Sequence, residues 1–360
     1  MAATKKTMLQ LLEEQVDVDV DWMDPEFIRS NDRTFHDMTS NQFIVDAQIG
    51  RPENRDLIVQ AAQELGTSDW LAVYTRVAAK LCANNLPYLR GRVFLQTRPA
   101  DAFDATATLK YARQIAAEFA RLGVGCDRYA IKIPITGAGM TVAKALRADG
   151  VASLGTVLLN VDQAIAASQA GCYYVSPYFN EIKAHVDRTV WPELRDPAAD
   201  HPMAPRVAQI YHVYRELYAS SGTEQPRVKL ASLISMAECM VPAELGCHSI
   251  TVPMPLLVEL AATPATMEAV RVKPEHPYAA PAKGLAHRLE GLLKRDPLRE
   301  SWDGVLPSLE TDYLADGGKA LDEAVEKDTE AKKRLDFALE FFDDAEKRSK
   351  EVVEAVLKAM

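Results

Sequence analysis

The segment YAIKIPITGAG, residues 129 to 139, sets a lysine between two isoleucines in a run that reads as a β-strand. With a side-chain period of two, Lys132 faces opposite to Ile131 and Ile133, while Pro134 closes the strand and the glycine-rich turn after it opens a helix. A lysine on the inner face of a sheet loses the hydration that favours its ammonium form. Its pKa falls, and a neutral amine becomes available to attack a ketone or aldehyde. Once dehydrated and protonated, the resulting iminium withdraws electrons, so a carbon–carbon bond β to the former carbonyl can break or form through an enamine. The helix after Thr136 would present free backbone N–H groups at the same rim, suited to an anionic substrate group. The competing reading of such a lysine is an edge-strand residue, or one whose stem crosses apolar surface while its ammonium stays in water.

The elements that would position this amine follow a regular order. Strand-like runs fall at 16–21, 35–38, 92–96, 129–133, 151–157, 172–175, 227–231 and 249–252, and helical periodicity falls between them at 42–63, 104–122, 141–148, 161–170, 203–220, 237–245 and 255–262. Eight strands alternating with helices predict an α/β chain forming a single-domain (β/α)8 TIM barrel, whose chemistry sits at the C-terminal ends of the strands. No G-x-G-x-x-G follows the first strand, which argues against an open dinucleotide-binding sheet. The proline- and charge-rich segments 187–205 and 273–284 read as surface connections. From 319 to 360 the chain carries Leu, Ala, Val and Phe at helical spacing among acids and bases, which predicts additional C-terminal helices packed on the barrel. The division expected is a barrel core at 1–265 and a helical extension at 266–360. A homodimer interface is the alternative use of part of that surface.

Composition narrows the function classes. A formal net charge of −10 opposes a nucleic-acid partner, which needs a clustered basic footprint. The five cysteines, Cys82, Cys126, Cys172, Cys239 and Cys247, are an odd number without C-x-x-C pairing, and Cys239, Cys247 and His248 have no further pair spaced to complete a metal site. Neither a metal nor a cofactor is expected. The first 22 residues hold no apolar run of the secretory kind, and no stretch has the length and hydrophobicity of a membrane span, so a cytoplasmic location and no membrane partner are expected.

Several segments together resemble a known family. VDVDVDWMD (16–24), DMTSN (37–41), IKIPITGAG (131–139), LGTVLLNVDQAIAASQAG (154–171), YVSPY (174–178) and SITVPMPLLVEL (249–260) are similar to transaldolase and to its smaller relatives that cleave fructose 6-phosphate. The resemblance runs over roughly the first 265 residues, and the C-terminal helices suit the longer transaldolases. It implies that Lys132 forms the imine and that Asp21 is the acid/base on substrate hydroxyls. Of Asp17, Asp19 and Asp21, which share one strand face, only the last nears the upper rim; the first two are expected to be ion-paired or solvated below the site. It further implies that Asn41 and Ser176 bind substrate and that Thr156 positions the catalytic water. Taken without the resemblance, each of these three reads as a local cap or a satisfied core group.

The departures from that pattern carry their own chemistry. Gln96 stands where transaldolase has a water-activating glutamate, and a glutamine can orient water without taking its proton at neutral pH. The fructose-6-phosphate aldolase relatives share that glutamine together with a tyrosine in the place held here by Tyr178, which the resemblance makes a second water-handling group. Gln42 replaces the proline usual after the second-strand asparagine, and Leu154 takes the place of a substrate-binding asparagine. Glu181 and Ile234 fall where the family has phosphate-binding arginines, with Lys183 two residues past the first, and a carboxylate there repels phosphate. Arg98 could contact an acidic substrate from another direction, or serve as a surface ion-pair residue.

These observations predict a cofactor-independent class I aldolase or transferase acting through Lys132 on a small carbonyl compound that need not carry phosphate. The alternatives are a true transaldolase of the pentose phosphate pathway, moving a dihydroxyacetone unit between sugar phosphates, and a catalytically silent barrel used as a binding protein.

Overall fold

The computed structural model describes residues 6–30, 34–278 and 285–360. Residues 1–5 at the start of the chain, and 279–284 at the end of the second proline-rich connection, lie outside the described residues. Seven strands form one all-parallel sheet: β1 (Asp17–Asp21), β2 (Val93–Gln96), β3 (Tyr129–Pro134), β4 (Ser153–Leu158), β5 (Tyr174–Pro177), β6 (Arg227–Leu230) and β7 (Ser249–Pro253), ordered β1-β7-β6-β5-β4-β3-β2.

The helices begin with α1 (Met8–Glu13), α2 (Pro25–Ser30), α3 (Gln42–Ile49), α4 (Arg55–Leu65) and α5 (Trp70–Ala83). Between strands run α6 (Ala105–Arg121), α7 (Gly137–Ala148) and α8 (Val161–Ala170). Short α9 (Lys183–Val186) and α10 (Pro197–Asp200) precede α11 (Ala204–Ser221), α12 (Met236–Leu245) and α13 (Met254–Ala262), and the chain ends in α14 (Lys319–Lys327) and α15 (Thr329–Lys358).

The expected eighth strand, 35–38, does not form a ladder. Met38 makes isolated parallel bridges to Val20 and to Val93, on the two outer strands of the sheet. Backbone hydrogen bonds accompany them: Val20 N to Asp37 O, Thr39 N to Val20 O, Met38 N to Arg92 O and Phe94 N to Met38 O, each 3.0 Å. The segment is too short for more, because Asp37 turns its carboxylate to other work and the chain becomes polar at Thr39 and Ser40. The helix expected over 42–63 is likewise two helices, interrupted where Gly50 ends α3 and Pro52 lacks the N–H needed to continue. Helix α5, which the sequence reading did not anticipate, starts on Asp69, whose carboxylate accepts from Leu71 N at 3.1 Å.

Side-chain parity divides the interior. One large apolar cluster lies between the sheet and its helices. A second, separate one holds Phe94, Ala130, Leu154 and Tyr174, which alternate with outward residues and therefore mark the opposite, inner face. On that face Lys229 of β6 is wholly buried, its ammonium bound to Asp19 and, at 3.0 Å, to Asp37. The Tyr174 ring lies 4.4 Å from the ammonium, and His36 Nδ1 is 3.1 Å from Asp37 Oδ1. Asp19, His36 and Asp37 have ligand-like spacing, but the position a cation would take between the two carboxylates is held by the lysine. Asp17 pairs instead with Lys273 at 2.6 Å.

The C-terminal helices pack along the outer helices. Leu335, Ala338, Leu339, Phe342, Ala345, Val353 and Val356 bury one stripe of α15 against α3, α4 and α5. The segment 187–205 carries α10 and is tied down by Trp191 Nε1 donating to Glu238 Oε1 at 2.8 Å.

Removing one partner of the ion cluster is expected to cost more than the cluster contributes. Lys229→Met leaves Asp19 and Asp37 buried without their cation, and roughly 3–5 kcal/mol of unfolding free energy should be lost at neutral pH. Protonation of the orphaned carboxylates relieves that loss, so urea titrations should find the deficit shrinking as pH falls towards 5. A deficit that is unchanged by pH would mean that the carboxylates are not what destabilises the variant.

Candidate active site

Strand β3 places Lys132 on the inner face, level with Gln96 of β2 and Leu154 of β4. The residue is only 4% exposed. Its Nζ donates to Ser40 O at 3.1 Å and to Thr39 Oγ1 at 3.4 Å, both in the chain between the Met38 bridges and α3. Neither acceptor carries a charge. Burial pushes the amine down to about 8, against the opposing pull of the Asp21 carboxylate. At pH 7 about a tenth of the amine is then neutral, against well under a thousandth for a solvated lysine.

Asp21 ends β1 and is partly exposed. Burial pushes its carboxyl up to about 6, with Lys132 acting in the other direction. Between about pH 6 and 8, therefore, this carboxyl is mostly ionised while the amine is becoming neutral. Those are the protonation states needed to take a proton from a substrate hydroxyl and to attack a carbonyl.

Thr156 lies two strand positions beyond Leu154, and its hydroxyl donates to the Tyr178 phenol oxygen at 3.1 Å. Burial holds the Tyr178 phenol well above its usual value, so it stays protonated and available as a donor. The β4 ladder slips between Gly155 and Leu158, and Val157 adopts φ 56°. A β-branched residue in the left-handed region is strained, and the strain falls directly after Thr156. Gln96 is 2% exposed, and its Nε2 donates to Gln42 Oε1 at 2.8 Å.

Other expected residues are engaged elsewhere. Asn41 caps α3 by accepting from Ile44 N at 3.0 Å, and Ser176 donates to the Lys229 carbonyl at 2.9 Å. Arg98 turns to the C-terminal helix, with Nε 2.9 Å from Glu346 Oε1 and NH1 3.3 Å from Asp101 Oδ2, the ion-pair alternative for this residue. The N-terminus of α7 is also taken, because Asp322 of α14 accepts from Gly137 N at 2.8 Å. A side chain on Gly137 would run into the Gly318 carbonyl, so the close approach of the C-terminal segment requires glycine here. Glu181 lies within electrostatic reach of Arg334 of α15.

The sequence reading did not find Thr39, Ser40 or the partnership of Gln42 with Gln96, since each depends on the path of an irregular segment. The Lys229 cluster did leave a signal. RVKL sets a lysine between Val228 and Leu230 on a strand, with the same parity that marks Lys132.

Comparison with known proteins agrees with this frame. A sequence family described as Transaldolase/Fructose-6-phosphate aldolase matches residues 18–295. A protein from Methylibium petroleiphilum named transaldolase is 29% identical over 234 residues, covering 64% of this chain and 72% of that one. Another so named, from Rhizobium rhizogenes, is 30% identical over 250 residues, covering 67% and 74%. A third, from Trichormus variabilis, is 27% identical over 271 residues and covers 72% and 77%.

The electrostatics of the amine can be checked without any substrate. Competitive labelling of Lys132 by an amine-acylating reagent, read by mass spectrometry, should rise with pH to a midpoint near 8 rather than near 10.5. Asp21→Asn removes the charge that raises this value, so the midpoint should move lower still. A midpoint at the ordinary lysine value, or one moved upward by Asp21→Asn, contradicts the arrangement described.

Proposed function

The chain belongs to the transaldolase/fructose-6-phosphate aldolase family, and from that premise we propose that it makes or breaks a carbon–carbon bond of a carbonyl substrate through an imine on Lys132. The observation that carries this reading is the amine itself: buried, bonded among the described residues only to uncharged acceptors, and lowered by burial to about 8 against the pull of the Asp21 carboxylate. We read the sheet as a closed barrel in which the segment around Met38 serves as the eighth stave. The two-sided backbone bonding of that segment supports the idea.

In this mechanism the neutral amine adds to the substrate carbonyl, and the carbinolamine loses water to give an iminium. The Asp21 carboxylate takes the proton of the hydroxyl β to the imine carbon. The bond between the α carbon and the hydroxyl-bearing β carbon then breaks, its electron pair passing to the enamine as the β carbon leaves as an aldehyde. Protonation of the enamine and hydrolysis of the new iminium return the amine. Gln96, Thr156 and Tyr178 would handle the water of the first and last steps, with the phenol as donor and the glutamine as acceptor.

A substrate without phosphate fits the rim better than a sugar phosphate. Arg206 is committed to Asp296, Asp328 and the Leu159 carbonyl, Arg334 is balanced by Glu330 and Glu181, and the α7 N-terminus is occupied by Asp322. Among the described residues, each of these three groups faces at least one carboxylate of the chain itself. The second reading is a true transaldolase, favoured by the name that the relatives from Methylibium, Rhizobium and Trichormus carry.

Borohydride trapping with a panel of phosphorylated and plain ketones and aldehydes tests the proposal. A mass increment on Lys132 that disappears in Lys132→Ala is expected, and plain carbonyls should be trapped at least as well as phosphorylated ones. Turnover of fructose 6-phosphate with erythrose 4-phosphate would establish the transaldolase reading in its place. An unmodified Lys132 across the whole panel would leave a barrel that binds without catalysing.

A further inference from the structure

We propose that Gln42 is a positioning residue that fixes the Gln96 side-chain amide with its oxygen, and not its NH2 group, presented to the reacting amine. The consequence for catalysis rests on the imine reading above, whereas the orientation itself stands on hydrogen-bond geometry. Gln42 opens α3 and is 2% exposed. Its Nε2 reaches the backbone carbonyls of Thr97 at 2.9 Å and of Gln96 at 3.3 Å.

A carbonyl oxygen can only accept, so the Gln42 amide must turn its NH2 group to the backbone and its oxygen away from it. That oxygen receives Gln96 Nε2 at 2.8 Å. Gln96 is thereby committed as a donor on that side. A flip of either amide sets oxygen against oxygen or NH2 against NH2 in a buried position, and both arrangements leave groups unsatisfied. The order runs outward from two fixed carbonyls, through Gln42, to Gln96.

What remains is Gln96 Oε1, buried and without a hydrogen-bond partner among the described residues. It belongs to the residue level with Lys132 on the inner face. An acceptor held open in this way takes an O–H donor: the hydroxyl of a carbinolamine on Lys132, or the water released from it. On β4 and beyond, Thr156 donates to the Tyr178 oxygen, and the phenol proton has no acceptor among the hydrogen bonds of the described residues. The site therefore offers one neutral acceptor and one neutral donor, and a bound water or hydroxyl has its polarity set before substrate arrives.

The same geometry makes a carboxylate at position 96 incompatible with Gln42. The Gln42 oxygen would face it, and turning that amide round would set its oxygen against two backbone carbonyls.

The test uses Gln96→Glu in two backgrounds, one retaining Gln42 and one carrying Gln42→Met. The pKa of the introduced carboxyl is followed by carbon-13 NMR on the intact chain, after circular dichroism has established that both variants are folded. The carboxyl should titrate at least about one pH unit higher beside Gln42 than beside Gln42→Met. Equal values, or the reverse order, overturn the proposal without reference to any substrate.

Borohydride trapping then examines the consequence. Gln42→Met alone should slow imine formation on Lys132 roughly tenfold with the concentration dependence on carbonyl unchanged. Gln42→Glu keeps the size of the side chain, but its carboxylate faces the Thr97 and Gln96 carbonyls, so its trapping rate relative to the parent should recover as pH falls and the carboxyl gains a donor proton. Trapping at the parent rate in both variants across the pH range overturns the positioning role. If the parent chain itself traps no carbonyl, the imine reading fails, and the pKa comparison still decides whether Gln42 orders Gln96.

Discussion

Two lysines lie on the inner face of the sheet, and the difference in how each is compensated organises the molecule. Lys229 is fully buried between two carboxylates and against an aromatic ring, so its charge is satisfied and burial cannot drive the proton off. Burial and Asp37 push the Asp19 carboxyl up, while Lys229 and His36 hold Asp37 low in spite of its burial. Among the described residues Lys132 donates to a backbone carbonyl and a hydroxyl alone, and the more distant pull of Asp21 does not offset its burial. The lower cluster is a locked ion network, and the upper amine is poised to lose a proton. An amine of the second kind stays in a fold only where surrounding structure compensates for it.

The C-terminal segment extends the same theme at the rim. Its carboxylates reach the sites where bare cations or helix dipoles would otherwise attract anions: Asp322 at the start of α7, Asp328 at Arg206 and Asn160, and Glu346 at Arg98. These contacts fasten the last helices to the sheet's upper face by charge as well as by the apolar stripe of α15.

Much of this was legible in the residues. Alternation within YAIKIP predicted the direction of Lys132, and the rising series Asp17, Asp19, Asp21 predicted that only the last would approach it, since strand parity is a short-range property. Irregular segments gave less away. The run 35–38 was expected to be a strand and is a pair of bridges, and the two acceptors of Lys132 follow from its path. Arg98 illustrates a different limit. Its partner Glu346 is 248 residues distant in sequence, and no local pattern connects them. The reach of Asp322 to Gly137 was equally hidden, although Gly137 and Gly318, which let the two segments approach, were visible as residues.

The amide at position 96 is consistent with the state of the amine beside it. Burial lowers the Lys132 pKa to about 8 although Asp21 acts to raise it. A second carboxylate level with Lys132 on the adjacent strand would add another attractive charge at close range, and the amine would be protonated more of the time. A glutamine preserves the hydrogen-bonding capacity of the position without that charge. The cost is that an amide has two unlike ends and can present the wrong one. Gln42, anchored on two backbone carbonyls, removes that ambiguity, so an uncharged group at position 96 and a defined acceptor are obtained together.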